Sequence, residues 1–94
     1  MLILSLVYKK STQEADKVMD AHIAWVNEGY DKGWFLASGR KQPRTGGVIL
    51  AKGERSQIEA FVAQDPFTME GIADYEITEF AVSRTAEGLE GLKS

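Results

Sequence analysis

The chain has 94 residues, 44% of them hydrophobic, with a formal charge of −3, which describes one globular domain that buries roughly 60–68% of its unfolded surface. It has no cysteine, which excludes disulfides, thiolate zinc sites, Fe–S clusters and thiol redox chemistry, and its one histidine excludes an all-imidazole metal site. The net negative charge opposes nucleic-acid binding, whose affinity comes mostly from neutralising phosphates.

Leu2, Leu4, Leu6 and Tyr8 alternate with Ile3, Ser5 and Val7, so both faces of the first segment are largely apolar, as in a strand covered on both sides. The segment has no basic region before it and no small-residue cleavage site after it, unlike an export signal. No apolar run approaches the ~20 residues that cross a bilayer. A cytoplasmic protein with no membrane contact is expected.

Ser11-Thr12-Gln13-Glu14 reads as a capping box, with Ser11 as N-cap and Glu14 reaching back. It predicts a helix from Thr12 to Asp31, stopped by Gly33. Trp34 to Ser38 is a second strand, followed by a loop from Gly39 to Gly46 rich in glycine and positive charge. Gly47 to Ala51 is a third strand, apolar on both faces. Ser56-Gln57-Ile58-Glu59 repeats the capping-box pattern and opens a shorter helix, which must end before Pro66. Asp74 to Ser83 is the fourth strand, and its apolar phase change near Thr78–Glu79 predicts a bulge there. Residues 1–84 form the domain and residues 85–94 a polar C-terminal tail.

The order β-α-β-β-α-β predicts an α+β, ferredoxin-like fold with an antiparallel or mixed four-stranded sheet. Right-handed crossovers place both helices on one face. The other face still carries apolar side chains from strands one and three, and a second copy is the simplest cover. The expectation is a homodimer forming a dimeric α+β barrel.

At about 100° per residue, with His22 at zero, Val18 falls near −40° and Val26 near +40°, so His22 sits in the apolar stripe of the first helix. Such a histidine is either a core residue satisfied by a hydrogen bond or a functional one facing a cavity; unpaired burial costs roughly 1–3 kcal/mol. Asp65-Pro66-Phe67 follows the second helix, and an acid at a helix C-terminus opposes the macrodipole and wants a donor. With both helices on one face, His22 is a candidate donor. Asp65 would fix its tautomer and leave the other ring nitrogen to exchange a proton with substrate.

The loop brings Arg40, Lys41 and Arg44 beside Ser38, Gly39, Thr45, Gly46 and Gly47. It is either an anion or hydroxyl pocket or an ordinary solvated hairpin. Trp25 flanks His22 on the helix, and Phe67 follows the Asp-Pro pair. The third strand lacks the aromatic platform of an RNA-recognition motif, and a heavy-metal chaperone of this topology needs paired cysteines.

Ala21-His22, Phe35-Leu36-Ala37-Ser38-Gly39-Arg40, Pro43-Arg44-Thr45-Gly46-Gly47-Val48-Ile49-Leu50-Ala51, Asp65-Pro66-Phe67 and Tyr75-Glu76-Ile77-Thr78-Glu79-Phe80 occur in that order. Together, over about Leu2 to Val82, they resemble the YciI-like (YCII-related) family. The resemblance implies a dimeric α+β barrel and a His–Asp dyad, matched here by His22 and Asp65, with Ser38 as neighbour. One relative in that family is a dehydrochlorinase acting on a chlorinated hydroxyhydroquinone, and muconolactone isomerases share the superfold. Some relatives carry an arginine shortly before the dyad histidine, where this chain has Met19 and Asp20. A GTP cyclohydrolase label also attaches to such sequences, and its cysteine-ligated zinc chemistry is excluded here.

The expected function is cofactor-free acid–base chemistry (elimination, isomerisation or lyase type) on a small cyclic hydroxylated or carbonyl compound. His22 and Asp65 are the candidate catalytic pair, and Ser38, Gly39, Arg40, Arg44, Trp25 and Phe67 the candidate substrate contacts. The alternative is a non-catalytic ligand-binding dimer with a structural His–Asp pair. Under the catalytic reading, removing either member leaves the melting temperature near its starting value, because functional residues are often not optimised for stability.

Overall fold

The computed structural model describes residues 1–93. Its first strand, β1 (Leu2–Tyr8), buries Leu2, Leu4 and Leu6 on one face, as the alternation requires. Ser11 then takes an extended conformation and its hydroxyl accepts the Glu14 N–H at 3.2 Å, which starts α1 (Thr12–Asp31). Only half of the expected capping box forms, because the Glu14 carboxylate turns outward to Lys17 at 3.1 Å. Gly33 closes the helix at φ 76°, a conformation that side chains resist.

The remaining elements are β2 (Phe35–Arg40), β3 (Gly46–Ala51), α2 (Arg55–Val62), α3 (Pro66–Met69) and β4 (Ala73–Glu79). The sheet has order β2-β3-β1-β4 with every neighbouring pair antiparallel. This is the ferredoxin-like α+β arrangement expected from the element order.

Four local expectations are corrected. The strand β2 runs on through Arg40 because its residues continue to pair with β3 as far as Arg40↔Gly47, which shortens the loop to residues 41–45. The helix α2 starts two residues early with Glu54 at its N-cap and no side-chain cap, so Ser56 lies inside it. Pro66 does not merely end a helix but sits in the first turn of α3, where its missing N–H costs nothing. The strand β4 pairs with β1 without interruption from Ala73 to Glu79, so the phase change at Phe80 marks its end rather than a bulge. Beyond it, Lys52 Nζ donates to the Gly91 carbonyl at 2.9 Å and ties the C-terminal segment to β3's end; Ser94 lies outside the described residues.

The register shift occurs instead in β2. Phe35 faces Ala51 and Ala37 faces Leu50, so one extra residue, Leu36, is accommodated between them. Phe35 points into the core, and strict alternation would turn Ser38 and Arg40 to the opposite face. The shift pairs Ser38 with Ile49 and Arg40 with Gly47, and brings both to the helix-covered face.

Between the sheet and the helices lie two buried clusters. One holds Leu2, Leu4, Trp25, Phe35, Ile49, Ile58 and Phe61; the other holds Leu6, Ala15, Phe67, Ile72 and Ala73. Gly29 permits α1 to pack on Phe35, since a Cβ there would lie 2.3 Å from the phenyl ring. Gly29→Ala should therefore lower the melting temperature. Overpacking of about 1–3 kcal/mol outweighs the ~1 kcal/mol helix-propensity gain, and a thermal melt at or above wild type contradicts this packing account.

Candidate active site

Asp65 is the N-cap of α3, and its Oδ1 accepts the Phe67 N–H at 3.0 Å. Sequence reasoning placed this acid at a helix C-terminus; instead its charge meets the favourable N-terminal end of the next turn. The side chain is 0% exposed and accepts two further hydrogen bonds. His22 Nδ1 lies 2.8 Å from Oδ1, and the Tyr75 hydroxyl donates to Oδ2 at 2.6 Å. An ionised Asp65 requires His22 to carry its proton on Nδ1, which leaves Nε2 as the acceptor of a neutral ring.

The His22 ring is stacked on Phe67 at 4.0 Å between centroids and 3° between planes. Its side chain is 14% exposed and lines a cavity of about 200 Å³. Nε2 makes no hydrogen bond to the described residues and is not sealed from solvent. The cavity lies where the two core clusters part, bounded by Leu6 and Phe67 from one and Ile49 from the other. Met19, Ile23 and Val26 of α1 form its apolar wall. Ser38, Gly39 and Arg40 of β2 form the polar side, and Gly46 and Gly47 add no side chain to fill it. Arg40 is its one cation, and no carboxylate is among the lining residues.

The sequence-predicted residues therefore divide. His22, Ser38, Gly39, Arg40 and Phe67 line one cavity, with Asp65 directly behind His22. Ser38 Oγ is held by the Tyr30 hydroxyl at 2.8 Å. Trp25 does not line the cavity: it stands behind His22 at 5.9 Å and donates its indole N–H to the Phe61 carbonyl. Arg44 does not line it either. Its guanidinium pairs with Asp16 at 2.6 Å and lies over the Tyr8 ring, fastening the β2–β3 loop to α1; that bond holds the Asp16 carboxyl below its usual range. Among the described residues no group of three His, Cys, Asp or Glu is arranged to hold a metal, and no helix is long and apolar enough to cross a membrane.

Tyr75 entered the sequence reading as a position of the fourth strand and of the family motif, with no role in the site. The missed signal is that a tyrosine on the helix-facing side of a strand needs a partner for its hydroxyl. Burial, and then the nearby Asp65 carboxylate, push its phenol well above the ordinary value. A group with a raised folded-state pKa contributes stability that is fully present below about pH 10 and is lost above it. Wild type should thus lose stability in alkali more steeply than Tyr75→Phe, by up to about 1.4 kcal/mol per pH unit. Parallel alkaline melting curves for the two proteins contradict this.

A family model described as YCII-related domain matches residues 1–81. Among solved structures, the chain is similar to 5-chloro-2-hydroxyhydroquinone dehydrochlorinase (TftG) from Burkholderia phenoliruptrix AC1100, solved in complex with 2,5-dihydroxybenzoquinone. The TM-score is 0.70 at 20% identity, covering 85% of this chain and 93% of that one, which makes it a likeness of fold. No curated protein matches the sequence.

Proposed function

The chain belongs to the YCII-related domain family, and from that premise we propose that it is a cofactor-free acid–base enzyme acting on a small cyclic hydroxylated or carbonyl compound. The observation that carries the reading is the His22 ring itself. Its Nδ1 is held by a buried carboxylate at 2.8 Å while the ring lines a cavity and Nε2 has no hydrogen-bond partner among the described residues. A structural histidine needs only the bond at Nδ1, whereas an acid–base group also needs its second nitrogen free to meet a substrate.

In this reading Nε2 takes a proton from a carbon or hydroxyl of the substrate. Asp65 keeps the ring in the productive tautomer and compensates the imidazolium that forms. The Arg40 guanidinium at the polar wall stabilises the developing oxyanion, aided by Ser38. In an elimination the C–H bonding pair becomes the new double bond as the leaving group departs with its own pair. In an isomerisation His22 returns the proton to a different carbon. Size supports a one-ring ligand: an apolar cavity of ~150 Å³ takes up benzene, and this one holds about 200 Å³. The similar fold of a hydroxyhydroquinone dehydrochlorinase, solved with a dihydroxybenzoquinone, supports the same substrate class. Phe67 would pack against the ring, while Arg44 and Trp25 support the site from outside the cavity.

Proton abstraction can be read without knowing the physiological substrate. Dihydroxybenzoquinone, hydroxyhydroquinones and unsaturated lactones incubated with the protein in D₂O should exchange a C–H for deuterium. The His22 ring resonances should shift on binding. No exchange and no shift with any of these compounds removes the acid–base reading.

The reading includes a homodimer across the open sheet face. Ile3, Val48 and Leu50 there are only partly covered, and Val7 is 46% exposed. Sedimentation should give about twice the chain mass of 10.4 kDa. Leu4 faces the core and Leu50 the open face, so the two positions respond differently to charge. Leu50→Glu should yield a folded monomer and Leu4→Glu an unfolded chain. A wild-type monomer at micromolar concentration removes the dimer.

A further inference from the structure

We propose that Tyr75 is a positioning residue that sets the proton affinity of His22 through Asp65, an inference that rests on reading His22 as the acid–base group. The two oxygens of Asp65 are used differently. Oδ1 receives the Phe67 N–H at 3.0 Å and faces His22 Nδ1 at 2.8 Å. Oδ2 receives the Tyr75 hydroxyl at 2.6 Å. The backbone bond is fixed by the first turn of α3, so the tyrosine donor on the far oxygen completes a clamp that prevents the carboxylate from turning about its Cβ–Cγ bond.

The clamp also has an electronic consequence. A hydrogen bond donated to one oxygen draws negative charge from both, because the carboxylate is delocalised. With Tyr75 in place, Oδ1 stabilises the His22 imidazolium less than an unshared carboxylate would, and Nε2 gives up its proton more readily. Tyr75 can hold that position because pairing with Leu6 turns it to the helix-covered face of β4, where it also lines the cavity. The titratable side chains around His22 are Asp65, bonded to its ring from the start of α3, and Tyr75 from β4, Tyr8 from β1 and Arg40 from β2, which line the same cavity along with Ser38; its own helix contributes the apolar Met19, Ile23 and Val26. Tyr75 reaches His22 only through Asp65 and makes no hydrogen bond to the ring itself.

His22 is the only histidine, so its titration is read directly from the ring C–H resonances of the whole protein. Tyr75→Phe keeps the ring and removes the hydroxyl. It should raise the His22 midpoint by on the order of half to one pH unit. Site-specific replacement of Tyr75 by 3-fluorotyrosine keeps the volume and strengthens the donor. It should move the midpoint the other way, and it carries the test if Tyr75→Phe does not fold. A midpoint that stays at the wild-type value, or moves in the same direction with both replacements, overturns the proposal. The midpoint is independent of turnover: a shift without deuterium exchange sinks the acid–base function and leaves the Tyr75 effect, whereas exchange without a shift does the reverse.

Discussion

Asp65→Ala should lower the melting temperature by roughly 12–24 °C, which corresponds to about 3 kcal/mol in a domain of this size. The carboxylate is wholly buried, and its loss strands the Phe67 N–H and the Tyr75 hydroxyl, each costing on the order of 1–3 kcal/mol. The first turn of α3 loses its N-cap at the same time, which is the local expression of the Phe67 term. His22 suffers less, because its ring reaches the cavity and can find water. From the sequence alone a small loss is expected. The 0% exposure and the three hydrogen bonds reverse that expectation. Thermal melting checks it directly, and a variant that melts within a few degrees of wild type would show that the three bonds contribute little.

His22→Gln should separate chemistry from stability in the opposite way. Glutamine retains a polar end near Asp65 and fills part of the volume over Phe67, but it cannot take up a proton near neutral pH. Deuterium exchange should fall by roughly 10²–10⁴-fold, the usual contribution of a positioned acid–base group. The melting temperature should drop by less than in Asp65→Ala, since the removed ring is partly solvent-facing and leaves Asp65 with two of its three donors. Retained exchange would mean that another group performs the proton transfer. A melting loss as large as that of Asp65→Ala would mark the pair as a structural element first.

The contrast between the two residues explains how much of the site was legible. His22 lies on a long helix whose start is set by Ser11 and whose end is set by Gly33, so its face follows from counting. Asp65 was visible as an acid in need of donors, though for a reason the structure replaces: it opens α3 rather than closing α2. A four-residue helix leaves too few turns for periodicity to reveal. Tyr75 was hidden because a tyrosine in an alternating strand looks like any other core position until its hydroxyl is asked for a partner. Arg44 shared the basic loop with Arg40, and the residues alone could not divide them. The ion pair with Asp16, 28 positions earlier, carries Arg44 to the outer side of α1's first turns, while pairing with Gly47 sets Arg40 at the cavity's edge on the helix-covered face.

The sequence by itself determined the order of the four strands and two longer helices, the extent of α1, the apolar character of β1 and β3, and the exclusion of cysteine chemistry. Each follows from short-range rules, namely capping, alternation and helical period, that act over a few residues. Only the tertiary structure decided which residues meet at the cavity. The extra residue at Leu36 exchanges the two faces of β2 downstream of it, and so determines that the Ser38 and Arg40 side chains, not that of Ala37, accompany His22 on the helix-covered side. No local preference marks that shift, because it answers a long-range demand. Phe35 must pack against Gly29 and Trp25 in the core at one end of the strand. At the other end, Arg40 is paired with Gly47 on the helix-covered face, beside the cavity. A strand of fixed period cannot meet both conditions, and the inserted residue reconciles them.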